Sequence, residues 1–218
     1  MSLYALIRGW NYAQANNWLT NSVAAQFFFI LLFESFTVGL IYGIFKYYHR
    51  SLSLIGLKKP RLVDGGYALI AYPIYLIIYI TVLTGATKLF HSLNVNQSQN
   101  IGFTNVHGTM ALALTFISLV ILPPIAEELL FRGFLFEGLK KSMPAIYAGV
   151  LTSVIFASAH LPEGGSSGLF WVGALDVFIL SLVLVYLKQK TKSLWPGIIL
   201  HAIKNCVAFV SLFLLTNR

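Results

Sequence analysis

Charge is scarce in this chain. Only 10% of its 218 residues are Asp, Glu, Lys or Arg, against about 25% in a soluble domain. Acids are scarcer still, with seven Asp and Glu against fifteen Lys and Arg. A surface this poor in charge does not suit water, so a water-soluble enzyme is excluded. The single cysteine, Cys206, excludes a disulfide framework; its apolar neighbours read as packing around a thiol. The net charge of +8 does not read as nucleic-acid binding, because the cations lie between apolar runs, the juxtamembrane arrangement. No basic segment followed by an apolar one opens the chain, so no cleavable signal peptide is expected; Trp10, Tyr12 and Trp18 suit a segment at headgroup level.

What is present is apolar: 57% hydrophobic residues and a mean hydropathy of +0.77. A spanning helix needs about 20 apolar residues. Six segments qualify, at roughly 23–45, 66–90, 108–141, 145–161, 169–187 and 194–215. The expected fold is therefore all-α, a polytopic transmembrane bundle of about six to eight helices in a cell membrane. Two parts are expected: 1–107, an interfacial segment with two spans, and 108–218, a bundle of the remaining helices. With the 46–61 loop inside, ten cations fall inside (Lys46, Arg50, Lys58, Lys59, Arg61, Lys140, Lys141, Lys188, Lys190, Lys192) and three outside (Arg8, Lys88, Arg218). That asymmetry sets the orientation.

A charged side chain at mid-bilayer costs about 2.5–3.5 kcal/mol on insertion scales, so the polar residues inside these spans need a reason. Three groups stand out: Glu127, Glu128 and Arg132 in PIAEELLFRG; His160 in VIFASAHL; and His201 with Asn205 in ILHAIKNCV. Glu128 and Arg132 are four apart and share a helix face, the spacing of an ion pair. Glu127 points about 100° away and lacks a local partner, which suits a general base facing a cavity. His201 and Asn205 also share a face, and two donors aimed at one point can hold an oxyanion. Counted at 1.5 Å per residue from the inner helix ends, Glu127, His160, Asn205 and His201 lie roughly 21, 22, 16 and 10 Å deep. Their convergence favours one kinked crossing over 108–141, bent at Pro123 and Pro124, rather than a span ending near 124.

Bland readings cover the other polar residues. Glu34 can face the bundle or a substrate path. Asp176 can bond a neighbouring helix, and Lys204 can snorkel or pair with Asp176. Gly39 and Gly43 read as close packing, Pro73 as a kink, and Tyr72, Tyr75 and Tyr79 as packing.

Glu127-Glu128-LLF-Arg132, Phe156-ASA-His160 and His201-AIK-Asn205 together resemble the CAAX-protease and bacteriocin-processing (CPBP or Abi) family of intramembrane peptidases, whose motifs run EExxxR, FxxxH and HxxxN or HxxxD. The resemblance covers about 120–210. It implies that Glu127 and His160 activate a water for attack on a peptide carbonyl, that His201 and Asn205 hold the oxyanion, and that Glu128 and Arg132 support the helix. The implied partners are membrane lipids and a peptide or lipidated protein substrate, with no nucleic acid. A bacteriocin-immunity or membrane-interaction role without proteolysis is the alternative. A zinc ion on Glu127, His160 and His201 is a possible cofactor, although no H-E-x-x-H helix is present; a metal-free, glutamate-dependent reaction is favoured. A small transporter is disfavoured, since no internal repeat is visible.

Overall fold

The computed structural model describes residues 8–9, 11–97, 99–104 and 106–215; Trp10 and Arg218 lie outside them. Among the described residues there are seven helices and no strands. A short amphipathic helix α1 (Tyr12–Asn21), capped reciprocally by Asn11 and Gln14, is too short to cross a bilayer. Six helices are long and apolar enough to do so: α2 (Val23–Tyr47), α3 (Leu62–Leu89), α4 (Thr109–Leu139), α5 (Ala145–Gly165, its last turn tighter than the rest), α6 (Trp171–Thr191) and α7 (Trp195–Leu215). The chain is thus a multi-pass integral membrane protein. α3 starts four residues before the expected position, because the Asp64 side chain accepts from the Arg61 backbone N–H at 2.8 Å and caps its first turn.

α6 is the central helix. In its most apolar stretch 61% of residues are buried, against 6% in α2. Phe28, Phe29, Leu32, Phe33 and Phe36 of α2 point outward, as expected where the solvent is hydrocarbon. Lipid gives no hydrophobic drive for helix association, so close approach through small residues matters more. α5 and α6 illustrate it: a Cβ at Gly149 would lie 2.9 Å from Val185 Cγ1. α3 belongs to the same core, with Ala68, Ala71 and Tyr75 packed against Ile179, Leu180, Leu184 and Leu200.

The expected single crossing is present: α4 is continuous for 31 residues. It is not a uniform α-helix. Wide π-helical turns occupy Ile117–Ile121 and Glu128–Leu135 and flank an α-helical segment, Leu122–Glu127. Such turns re-aim side chains and recur at functional sites. At the basic side, a single helical turn over Leu52–Ile55 tucks under the bundle. Ile55 is buried with Leu129, Leu194 and Ile198, and the Gly56 carbonyl accepts from the Leu194 backbone N–H at 3.0 Å. The start of α7 is thereby tied to the inner loop.

Candidate active site

Glu128 and Arg132 form the ion pair that their spacing predicts, Nη1 to Oε1 at 2.8 Å, with side chains 1% and 0% exposed. A pair this deep persists only with further compensation. Part comes from Phe156, whose ring centroid lies 4.4 Å from Arg132 Cζ, a cation–π contact. Part comes from His201, whose Nδ1 sits 3.4 Å from the same Glu128 oxygen. A carboxylate only accepts, so Nδ1–H donates to Glu128 and Nε2 points to the other side of the ring.

That other side holds Glu127. Its Oε2 is 3.8 Å from His201 Nε2. The Glu127 side chain is 25% exposed as a whole, yet Oε2 is buried and accepts no hydrogen bond. Glu34, half-buried on α2, lies close enough for its charge to bear on Glu127. Adjacent carboxylates therefore differ in kind. Glu128 is bound on both sides, and Glu127 is left with an unoccupied oxygen.

His160 closes α5. Its Nδ1–H donates to the Phe156 carbonyl at 2.8 Å, which fixes the tautomer in the neutral ring and leaves Nε2 free. Nε2 lies 3.9 Å from Glu163 Oε1. Glu163 is itself held by the outer loop: Gln99 Nε2 donates to Oε2 at 2.7 Å, and the Asn100 N–H donates to the Glu163 carbonyl at 2.6 Å. The Phe156 ring stands between the two imidazoles, 4.6 Å from His160 and 6.0 Å from His201. The closest imidazole–carboxylate pairing of Glu127 is thus with His201, and that of His160 is with Glu163, a residue the sequence reading passed over. Its only signal was its place three residues after His160.

Asn205 has a role that follows from the two prolines. In an α-helix the Leu119 carbonyl would accept from residue 123, and in a π-turn from residue 124. Both are proline and have no N–H. Asn205 Nδ2 donates to that carbonyl at 2.9 Å. One Asn205 N–H therefore binds α7 to the proline-containing stretch of α4.

Two further features shape the site. A Cβ at Gly197, one turn before His201, would lie 2.8 Å from Glu128 Oε2, so glycine there allows α7 to approach the carboxylate. Asp176 accepts from Tyr75 and pairs with Lys204 at 3.2 Å, which sets the rotation of α7 from its far side.

Among the described residues, no three His, Cys, Asp or Glu side chains gather into a group that could hold a metal ion. Zinc ligands sit within about 2.0–2.3 Å of the ion; with His160 turned to Glu163, the residues Glu127, His160 and His201 do not fit a shared ion in this arrangement.

Comparison with known proteins agrees with the motifs. UPF0177 protein YxdF of Lactococcus lactis subsp. lactis (strain IL1403) is 26% identical over 126 residues, which cover 58% of this chain and 63% of that protein. The match thus spans less than two thirds of the relative. No solved structure matches the chain. Residues 109–207, the stretch holding all three motifs, match the family model for type II CAAX prenyl endopeptidases of the Rce1-like kind.

Proposed function

We propose that this protein is an intramembrane endopeptidase that hydrolyses a peptide bond in a membrane-associated or lipidated peptide, with Glu127 as general base. The observation that carries the reading is the buried, unpartnered Oε2 of Glu127 facing His201 Nε2, beside a Glu128 already engaged by Arg132 and His201. A structural ion pair needs one carboxylate; the second is surplus unless it handles a proton.

In the proposed step a water donates one O–H to Glu127 Oε2 while its oxygen attacks the peptide carbonyl carbon. The proton passes to Glu127 and the carbonyl oxygen takes up the negative charge. The remaining N–H of Asn205, one turn from His201 on the same helix face, supplies a donor to that oxygen. Collapse re-forms the carbonyl and breaks the C–N bond, and the proton held by Glu127 goes to the departing amine. His160, held by the Phe156 carbonyl, is the second imidazole that the motifs assign to the water. A positioned base contributes about 10²–10⁴-fold and each oxyanion donor about 10²–10³-fold. The apolar outer faces of α2 and α3 favour a substrate that arrives within the bilayer.

The test compares membranes carrying the wild type with membranes carrying Glu127→Ala, by mass spectrometry of peptides. Fragments present only with the wild type identify the substrate. Undiminished cleavage by purified Glu127→Ala protein would remove Glu127 from its role. Bacteriocin resistance maintained by the same variant would favour the immunity reading.

A further inference from the structure

A cleft of about 840 Å³ opens at the basic side of the bundle, between the ends of α2 and α4. Its volume falls in the range of about 300–1,000 Å³ typical of ligand sites. Phe45, Leu54, Phe134 and Leu139 form apolar walls, and Arg50 and Lys141 stand at its edge. The acid in the lining, Glu137, is already neutralised: Lys140 binds one oxygen at 3.0 Å and Lys188 the other at 2.9 Å. Arg50 and Lys141 have no acidic partner among the described residues. The cleft therefore combines a hydrocarbon-like interior with an excess of positive charge at the depth of the headgroups. The active-site residues take no part in it; Leu135, in its wall, lies two turns beyond Glu127 on α4.

We propose that this cleft binds a glycerophospholipid with an anionic headgroup, the headgroup drawn to Arg50 and Lys141 and an acyl chain lying along Phe45, Leu54 and Phe134. Two observations select this occupant. A soluble anion would leave the apolar walls wet, and a zwitterionic lipid would leave two cations uncompensated. Basic pockets between membrane helices bind anionic headgroups by this combination. The inference stands apart from the peptidase reading, because Glu127, His160 and His201 are not among the residues that line the cleft.

The test uses the full chain in phosphatidylcholine nanodiscs with and without phosphatidylglycerol, and native mass spectrometry to count retained lipids. Wild-type protein is expected to retain phosphatidylglycerol in preference to phosphatidylcholine. Combined Arg50→Ala and Lys141→Ala substitution removes two interfacial cations, which predicts a roughly thirtyfold loss of that preference. Both residues are exposed, so the variant is expected to fold, and its elution on size exclusion checks this. Leu135→Trp, which fills the wall and keeps the charges, is expected to lower retention of both lipids. Equal retention of the two lipids by the wild type, or an unchanged preference in the double variant, would overturn the proposal. Displacement of the bound phosphatidylglycerol by a lipidated peptide would also overturn it, by giving the cleft to the substrate.

Discussion

The two imidazoles of the site sit in opposite surroundings. His201 lies in the middle of α7, 5% exposed, with Glu128 on one ring nitrogen and Glu127 facing the other. His160 ends the α-helical part of α5, more exposed at 16%, and faces Glu163 in the tighter last turn of the same helix. The first is held by three helices and a buried ion pair. The second is held by its own helix, whose last turn is fastened by Gln99 and Asn100 of the outer loop. The contrast teaches that a buried acid–base pair in lipid depends on helices locked to one another, whereas one near the membrane boundary can be oriented by a loop.

That contrast can be broken most severely at Arg132. Arg132→Met leaves Glu128 as an unpaired buried charge, and removal of one partner of such a pair costs about 3–5 kcal/mol. Thermal unfolding in detergent should show a large drop in Tm, and His201 should lose its anchor with it. Glu127→Gln comes next. It preserves shape and removes the base, so cleavage should fall by about 10²–10⁴-fold while Tm changes little; a single-turnover assay beside a melting curve separates the two effects. Gly197→Ala tests the locked side more gently. Its methyl group meets Glu128 Oε2, and overpacking of this kind costs about 1–3 kcal/mol, read as lower Tm together with slower cleavage. The smallest effect is expected at Glu163. Its side chain is 31% exposed, and partly exposed ion pairs contribute about 0–1 kcal/mol. Glu163→Gln should therefore leave Tm unchanged and lower cleavage by less than tenfold or so on the same scale. A loss as large as that of Glu127→Gln would show that the boundary imidazole is as tightly coupled as the buried one.

Much of this was legible without coordinates, for reasons particular to each residue. The Glu128–Arg132 pair follows from four-residue spacing alone, because helix geometry leaves few other partners for two charges in lipid. The Asp176–Lys204 pair was legible only as an option, since it joins two helices whose rotation the sequence leaves open. The pairing of Glu127 with His201 was not legible. Spacing placed Glu127 on a face apart from Glu128, but which histidine that face meets depends on how α4 bends. Glu163 escaped notice because a lone acid in the last turn of a helix near a membrane boundary carries no periodic signal. Asn205 was legible as a donor; the Leu119 carbonyl it serves is visible only when the continuous α4 shows two prolines where that carbonyl needs an N–H.

By itself the sequence determined that this protein lives in lipid, how many times it can cross, and which polar residues inside the bilayer need an explanation. Those conclusions follow from local quantities: the length of an apolar run, the cost of a bare charge in hydrocarbon, the angle between neighbours on a helix. Only the tertiary structure decided which carboxylate is engaged and which remains open, since both sit side by side in the chain. The difference is made by α7, which brings His201 and Gly197 against Glu128 from about seventy residues away, and by the wide turns of α4 that direct Glu127 to the far side of the same ring.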